Sequence, residues 1–403
     1  MPAIERRDLV IVGGGPGGSG TALALERIAP ELAARTLVLD RADFPRDKTC
    51  AGGLIPHTLE LLESLDLSLD VPSVRVDHAR VEAGGSEALA IPSPGCCWVI
   101  RRREFDAMLL AAARARGVEV RTGVAVRDAS RSGEWIRLET TAGPLEARAV
   151  VGADGSGSLV RRRLVDADEG WIARAVMSDV PIDAPAAPDV YEFDFRDVPD
   201  GLAGYAWSFP CLIEGRPHWN VGVYSLRRGG EGGRLGRLLE KRAEGVAERK
   251  AHPIRLYDEG RPLAAPGVLL VGDAGGVDPL LGEGISFALE YGRHAALTLR
   301  DAFAAGDLRF PDYTARIAGS PLGKKLRRLA MGARLFYGPK SAFWFRVARF
   351  SRTAQRIGMN WYNGVGLWNP PVVALPRAER TSVDGSRYGT AEPDHWRTTW
   401  QRQ

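Results

Sequence analysis

The stretch Leu9–Gly20, with the sequence LVIVGGGPGGSG, decides the fold of this chain. Leu9–Val12 is apolar and has the length of one buried strand, and good helix formers follow the glycines. Gly13, Gly15 and Gly18 give the spacing G-x-G-x-x-G, which allows a tight turn, close approach of a pyrophosphate and close packing of helix on strand. The stretch therefore predicts a strand, a glycine-rich turn and a helix that together bind a dinucleotide.

A second apolar run supports this interpretation. Thr36–Leu39 has the length of a neighbouring strand and ends in Asp40, which Arg41 follows. Asp40 lies about 20 residues past the glycine turn, where a carboxylate that binds ribose is expected. The helix formers Thr21–Leu25 follow the glycines, and the free N–H groups and positive dipole end at the N-terminus of that helix attract phosphates. We therefore expect the ribose and the phosphates of a dinucleotide at this turn.

The composition is that of a globular protein. The 403 residues suggest two or three domains, and 45% hydrophobic with 26% charged residues is typical of a chain with a sizeable core. A net charge of +4 is too small to indicate a nucleic-acid partner. The four Cys lack the C-x-x-C spacing of zinc sites, so we expect no metal. Few cysteines, no signal peptide and no long apolar segment predict a cytoplasmic protein, which we expect to be a monomer.

A loop rich in Pro and Gly spans Phe44–Leu54 and contains Cys50. Lys48 lies two residues earlier, and a basic neighbour lowers the pKa of a thiol and favours a reactive thiolate. Cys50 could equally be a small residue packed in a tight turn. Composition alone leaves both interpretations open.

Two later strands also end in glycine and aspartate. Leu145–Val151 runs into GADG, which contains Asp154, and the apolar run before Gly272 ends in GDAGG, which contains Asp273. Open α/β sheets bind their ligands at the carboxyl edge of the strands, so both acids are expected near the ligand. Asp273 can accept a hydrogen bond from a sugar hydroxyl, and the helix that begins near Gly284 can offer N–H groups to a ring carbonyl.

Residues from Trp171 to Leu226 alternate with period two, which predicts antiparallel strands. Three of these strands carry aromatic or branched side chains on one face. An ordinary core would explain them, but their density favours an apolar wall over a cofactor. The three sets are Tyr191, Phe193 and Phe195; Tyr205, Trp207 and Phe209; and Trp219, Val221 and Val223.

The last third of the chain, after Arg309, is predicted to be helical and mixes basic with apolar residues. One interpretation is an interfacial helix that touches anionic lipid, which would give transient contact with a membrane surface. The other is a packed cap with a solvated basic face. The polar tail from Arg377 to Gln403 is predicted to be extended.

Four motifs in order resemble the FAD-binding core shared by the aromatic-hydroxylase type of flavoprotein monooxygenases and the geranylgeranyl reductases. They are GGGPGG at 13–18, the helix start R-x-x-F-D at Arg102, GADG at 152–155, and GDAGG…PLLGEGIS at 272–286. The resemblance covers roughly residues 5 to 300, and four motifs together are far more specific than one. It implies that the glycine turn and Asp40 hold the ADP half of FAD, that Arg102 lies near the flavin linkage and that Asp154 lies beside the FAD site. It further implies that Asp273 binds the ribityl chain and that Gly282 to Ile285 lie beside the isoalloxazine ring.

Two further stretches resemble the geranylgeranyl reductases in particular. Pro45–Leu54, PRDKTCAGGL, is similar to their P-R-D-K-x-C-G-G-G-L segment, with Ala51 as the departure. Gly204–Pro210, GYAWSFP, is similar to their G-Y-x-W-x-F-P strand, whereas flavin-dependent halogenases carry W-x-W-x-I-P there. The resemblance makes Cys50, Tyr205 and Trp207 the candidate catalytic residues. We expect Cys50 to position or gate the substrate more readily than to act as an acid, and Tyr205 is an equally plausible proton source.

These observations predict an α/β fold with a Rossmann-like FAD-binding domain on a mostly parallel sheet, an antiparallel-sheet substrate domain and C-terminal helices. The expected boundaries are 1–170 and 261–308 for the FAD-binding domain, 171–260 for the substrate domain and 309–403 for the cap and tail. The expected cofactor-binding residues are Gly13, Gly15, Pro16, Gly17, Gly18, Asp40, Arg41, Lys48, Cys50, Ala51, Gly52, Arg102, Val124, Asp154, Gly155, Gly272, Asp273, Pro279, Gly282, Gly284 and Ile285.

The resemblance implies a FAD-dependent oxidoreductase that reduces carbon–carbon double bonds of an isoprenoid or similar apolar small molecule by hydride transfer from reduced flavin. The electron donor would be NAD(P)H, bound transiently, or another reductant. The alternative is a FAD-dependent monooxygenase, a hydroxylase or epoxidase, that acts on an apolar or aromatic substrate. Halogenation is the less favoured third possibility.

Overall fold

The computed structural model describes residues 4–83, 88–168, 170–226, 232–243, 248–363 and 372–378; nearly all of the predicted extended tail lies outside them. The strands are β1 (Glu5–Val12), β2 (Thr36–Leu39), β3 (Gly53–Leu54), β4 (Ser73–Glu82), β5 (Leu89–Ile100), β6 (Glu119–Arg121), β7 (Val126–Ser132), β8 (Trp135–Thr140), β9 (Gly143–Gly152), β10 (Ile172–Pro181), β11 (Val190–Asp194), β12 (Gly204–Ile213), β13 (Arg216–Ser225), β14 (Lys250–Arg255), β15 (Ala264–Ala265) and β16 (Val268–Leu270). The helices are α1 (Pro16–Ile28), α2 (Pro30–Ala33), α3 (Pro56–Glu63), α4 (Arg102–Ala115), α5 (Gly232–Glu240), α6 (Ile285–Ala305), α7 (Tyr313–Gly319), α8 (Pro321–Phe336), α9 (Ser341–Phe350) and α10 (Arg352–Asn363).

The first sheet is mostly parallel and is assembled from segments far apart in the chain, as predicted. Its main path runs β15-β16-β9-β1-β2-β6, and β7 and β8 extend it from β9. The apolar run Leu9–Val12 is buried at the centre, between β2 and β9. Helices α1 and α6 pack closely because Gly292 leaves room for backbone: a Cβ there would lie 2.7 Å from the Thr21 nitrogen. Because β1, β9 and β16 run parallel to one another, their carboxyl ends meet at one edge of this sheet.

The second sheet draws on more of the chain than the predicted span 171–260. Its order is β14-β10-β13-β12-β11-β4-β5-β3, so three strands from residues 53–100 join the five strands that lie within the predicted span. The neighbours pair antiparallel except β11 and β4, which are parallel. The sequence PSPG at Pro92–Gly95 predicts a turn, but these residues lie within β5. Pairing jumps from Cys97 opposite Val76 to Pro92 opposite His78, so the intervening residues form a bulge.

The C-terminal segment is helical over α7–α10, as predicted, and packs beside the second sheet. The hydroxyl of Tyr337, at the end of α8, donates to the Leu280 carbonyl at 2.8 Å. On α10, the Tyr362 ring lies 5.4 Å from the Phe193 ring of β11. Among the described residues, no helix combines the length and the apolar character needed to cross a bilayer. The helices therefore cap the space between the two sheets.

Candidate active site

A cavity of about 600 Å³ lies between the carboxyl edge of the first sheet and one face of the second. It reaches from the glycine turn, past Asp273, to the aromatic residues of β12. Gly18 and Pro279 do not line it, whereas the other predicted site residues do. These are Gly13, Gly15, Pro16, Gly17, Asp40, Arg41, Lys48, Cys50, Ala51, Gly52, Arg102, Val124, Asp154, Gly155, Tyr205, Trp207, Gly272, Asp273, Gly282, Gly284 and Ile285.

The three fingerprint glycines have different surroundings. Gly13 has a φ of +112°, which glycine adopts without strain. A Cβ on Gly18 would lie 1.8 Å from the Gly13 oxygen, so glycine at position 18 allows the helix to pack closely on the turn. A Cβ on Gly15 would meet no protein atom closer than 3.6 Å. The turn is held by the Gly14 N–H, which donates to Asp40 Oδ2 at 2.8 Å. Gly15 therefore leaves open space directly before the N-terminus of α1.

Two guanidinium groups face this open space. Arg102 forms a two-pronged pair with the buried Asp106, at 2.6 and 2.7 Å, and Arg46 Nη2 lies 3.1 Å from the same carboxylate. A Cβ on Gly15 would lie 3.6 Å from Arg46 Nη2 and 3.9 Å from Arg102 Nη2. Arg46 Nη1 is buried and has no hydrogen-bond partner within the described part of the chain. A buried, unsatisfied cationic donor beside a helix N-terminus fits a pyrophosphate, so this cradle fits FAD.

The two predicted aspartates hold loops. Asp154 accepts from the Ser158 hydroxyl at 2.5 Å and from the N–H groups of Leu159 and Val160 at 2.6 and 3.1 Å. Burial raises the pKa of Asp154. Asp273 Oδ2 accepts from the Ser156 hydroxyl at 2.9 Å and so ties the loop after β9 to the loop after β16. Both carboxylates therefore shape the edge of the sheet as well as lining the cavity.

Three tyrosines hold the backbone just before Gly282. Their hydroxyl groups donate to three consecutive backbone carbonyls. Tyr224 donates to Pro279 at 3.2 Å, Tyr337 to Leu280 at 2.8 Å and Tyr205 to Leu281 at 2.6 Å. Pro279 is thus an anchor point behind the cavity. Burial raises the pKa of Tyr205 well above its usual value. The Tyr205 proton is therefore committed to Leu281, which argues against Tyr205 as a readily available acid.

Asp278 holds the same segment from its other side. Its carboxylate accepts from the N–H groups of Leu280 and Leu281 at 2.6 and 3.1 Å, and burial raises its pKa to about 7. Glu283 completes the turn by accepting from both the N–H and the hydroxyl of Ser286, the second residue of α6. The loop that precedes α6 is therefore rigidly placed at the cavity.

An aromatic wall, formed by Phe193, Tyr205, Trp207, Phe209 and Tyr224, faces the cavity from the second sheet. The rings of Phe193 and Tyr205 lie 5.4 Å apart and those of Tyr205 and Trp207 lie 6.0 Å apart. The prediction was wrong for the third strand. Val221 and Val223 pack on the opposite face, among residues of α5, and that face also receives Trp219. Gly222 and Tyr224 take the positions on the wall side, because neighbouring residues of a strand point to opposite faces.

The Cys50 loop is tied to β14. Lys48 Nζ contacts His252 Nε2, and Lys250 Nζ lies 2.7 Å from the Asp47 carboxylate. Burial lowers the pKa of Lys48 to about 8, and burial together with the Lys48 charge lowers the pKa of His252 to about 4. Between these values a protonated Lys48 donates to a neutral His252.

Cys50 itself is half-buried and lines the cavity. Its Sγ accepts from the Gly52 N–H at 3.4 Å. Gly52 has a φ of +82°, and a Cβ there would lie 2.0 Å from the Ile100 oxygen, so the loop passes very close to β5. The cavity residues that the sequence did not indicate include Arg46, although it lies in the PRDK segment, and His252 and Tyr362, which carry no local motif.

Comparison with known proteins agrees with this geometry. The sequence model of the FAD binding domain family matches residues 6–196. A menaquinone reductase of Mycolicibacterium smegmatis is 30% identical over 315 residues, which cover 72% of this chain and 76% of that protein. A digeranylgeranylglycerophospholipid reductase 2 of Methanopyrus kandleri is 30% identical over 329 residues, which cover 74% of this chain and 78% of that protein.

Solved structures share the fold. A geranylgeranyl bacteriochlorophyll reductase-like protein of Thermoplasma acidophilum superposes with a TM-score of 0.63 at 22% identity, covering 90% of this chain and 89% of that one. A flavin-dependent brominase superposes with a TM-score of 0.67 at 19% identity, covering 89% and 93%. At such identities the structural likeness shows the fold alone. The two sequence relatives described above are 30% identical to this chain and show its family. The chain belongs to the geranylgeranyl reductase family of FAD-dependent oxidoreductases.

Proposed function

We propose that the protein reduces carbon–carbon double bonds of an isoprenoid or similar apolar substrate, with electrons from NAD(P)H or another reductant. The observation that carries this proposal is one cavity that joins the arginine-lined glycine turn to the aromatic wall. Bound FAD, once reduced, supplies a hydride there. The relatives are named for menaquinone and for digeranylgeranylglycerophospholipid, and the second name itself specifies geranylgeranyl chains.

The residues of this chain bind the cofactor and the substrate and exclude water from the reacting bond. Arg46, Arg102 and the N-terminus of α1 offer donors to the pyrophosphate, and Asp40 lies where the ribose is expected. The aromatic wall provides an apolar surface for a prenyl chain and excludes water from the reacting bond. Tyr205 keeps the loop before α6 in place through its bond to Leu281.

The second carbon of a reduced double bond needs a proton. Lys48 is protonated below about pH 8 and already donates to His252, so the pair can hold a proton at the cavity surface. Cys50 lies two residues away and is better placed to shape the substrate's entry, because its Sγ is engaged with Gly52. We assign the proton to the Lys48–His252 pair and a positioning role to Cys50.

The mass of the product tests the proposal. Purified protein loaded with FAD is incubated with prenyl and aromatic substrates, first under dithionite without air and then with NADPH in air. We expect a gain of two hydrogens on a prenyl substrate and none on aromatic rings. A gain of one oxygen would instead establish the monooxygenase alternative, and halide incorporation would establish halogenation. A Gly15→Val variant, in which the pyrophosphate's space is filled, is the matched control for cofactor dependence.

A further inference from the structure

Positive charge is concentrated in the C-terminal helices. Residues 313–378 contain twelve Lys and Arg and no Asp or Glu, whereas the whole chain has a formal net charge of only +4. The rest of the protein therefore carries a net charge of −8. Such a separation of charge points to an anionic partner for this segment rather than to general solubility.

The outer surface of the same helices is apolar. Eight large apolar side chains are exposed in the described part of the chain, and six of them belong to α8–α10. Their spacings of three, four and seven residues place neighbours on one side of each helix. They are Met331 and Leu335 on α8, Phe343, Val347 and Phe350 on α9, and Ile357 on α10, and they are 36% to 78% exposed.

Exposed cations lie among these apolar residues. Arg334 lies on α8, Lys340 directly before α9 and Arg346 on α9. Arg352 and Arg356 follow on α10. We call this set of six apolar and five basic residues the basic–apolar face. Apolar side chains with cations between them suit a bilayer surface, where the former enter the acyl boundary and the latter meet anionic headgroups.

The inner side of the same helices closes the cavity. Tyr362 of α10 lines the cavity, the Phe345 ring of α9 lies 5.1 Å from the Phe195 ring, and Tyr337, directly after α8, donates to the Leu280 carbonyl. The basic–apolar face is therefore the outer surface of the cap that covers the proposed substrate site. An apolar substrate that arrives through this cap would not have to cross water.

We propose that the basic–apolar face docks the protein on an anionic lipid bilayer, with the cap turned towards the membrane. The idea of substrate delivery rests on the proposed function, but docking itself does not. A second copy of the chain is a poor occupant, because pairing the two faces would bring like charges together. A nucleic acid would match the cations but would offer little apolar surface to the exposed side chains of Phe343 and Val347.

Vesicle co-sedimentation of the FAD-loaded protein tests the proposal. We expect binding to vesicles that contain phosphatidylglycerol to be at least about tenfold stronger than binding to pure phosphatidylcholine. The Phe343→Ser/Phe350→Ser double variant should bind the anionic vesicles at least about fivefold more weakly. The Arg346→Glu/Arg352→Glu double variant should lose the preference for anionic lipid. Ile4→Ser, which alters an exposed apolar residue just before β1, is the matched control and should bind like the wild type.

All variants should keep their FAD absorption, their melting temperature and their turnover of a substrate dispersed in detergent. Equal binding of the wild type to both vesicle types, or unchanged binding of the phenylalanine variant, would overturn the proposal. So would a wild-type dimer that the phenylalanine variant converts to a monomer, or displacement of the vesicles by single-stranded nucleic acid. Absence of alkene reduction in detergent, even by the wild type, would count against the proposed function and leave the docking result intact.

Discussion

The indole ring of Trp207 lies directly on Gly222 of the neighbouring strand: a Cβ at position 222 would come within 2.1 Å of the ring carbon Cζ2. The two residues are paired across β12 and β13. The indole Nε1 donates to Asn220 Oδ1 at 2.8 Å, and Asn220 donates to Asp179, which pairs with Arg101. The Gly222 backbone on one side and the hydrogen bonds through Asn220 and Asp179 on the other therefore fix the position of Trp207 in the aromatic wall.

Gly222→Ala should displace the Trp207 ring. Adding a methyl group to such a closely packed site forces side chains off their rotamers, at a typical cost of about 1–3 kcal/mol. We expect a lower free energy of unfolding in urea and a change in the near-ultraviolet circular dichroism of the tryptophans. Gly319→Ala, where a Cβ would have no neighbour within 4 Å, is the matched control. If both variants unfolded like the wild type, the close contact would not exist.

The fingerprint glycines should separate folding from cofactor binding. Gly15→Val adds a side chain where no protein atom is close, so the apoprotein should fold normally but bind FAD at least about tenfold more weakly, or about 1.4 kcal/mol. Gly18→Ala pushes a methyl group against the Gly13 carbonyl and should destabilise the fold itself. Thermal melting of the apoproteins and FAD titration measure the two effects. Equal loss of stability in both variants would contradict this division of roles.

Arg46 should contribute to cofactor affinity, because its buried Nη1 lacks a protein partner among the described residues. Hydrogen bonds to charged groups contribute about 1.5–3 kcal/mol, so Arg46→Met should weaken FAD binding by roughly tenfold to a hundredfold. The stability of the apoprotein should change little, because Asp106, which loses the contact with Arg46, keeps its two-pronged pair with Arg102. Arg103→Met changes an exposed arginine on α4 and should leave FAD affinity unchanged. Unaltered affinity in Arg46→Met would remove Arg46 from the pyrophosphate site.

Local patterns predicted the first sheet and the glycine turn because the strand, turn and helix are adjacent in sequence. They could not predict that β3–β5 join the second sheet, since strand partners are chosen by packing between distant segments. Nor could they predict that His252 meets Lys48, which precedes it by about two hundred residues. On β13 the predicted alternation was correct, but Trp219, Val221 and Val223 were assigned to the cavity side, whereas they lie on the opposite face of the strand. A shift of one residue exchanges the two faces of a strand completely.

Lys48 should make the stability of the apoprotein depend on pH. Its pKa is about 8 in the folded protein, compared with the ordinary value of 10.5. Below pH 8 both states hold the proton, and the folded protein bears the full cost of a buried charge. Between these two values the folded state releases the proton while the unfolded chain keeps it. The free energy of unfolding should therefore rise with pH by up to about 1.4 kcal/mol per pH unit.

Lys48→Met lacks this titration. The difference in free energy of unfolding between wild type and Lys48→Met should therefore shift in favour of the wild type as the pH rises through this window. Urea unfolding of both apoproteins at several pH values measures the difference. Parallel pH profiles would mean that Lys48 titrates normally and is not buried as the structure places it.

Cys50 offers the sharpest test of positioning against thiol chemistry. Its Sγ accepts from the Gly52 N–H, a contact that serine can preserve and alanine cannot. Cys50→Ala should keep its FAD but reduce the alkene at least about tenfold more slowly, an effect of about 1.4 kcal/mol on the barrier. Near-normal turnover by Cys50→Ser would then assign Cys50 to positioning, whereas equally slow turnover would point to thiol chemistry. Cys96→Ala removes a buried thiol away from the cavity and should lower stability without changing turnover of the folded enzyme. Unchanged rates in both Cys50 variants would leave Cys50 as a packed residue of its turn.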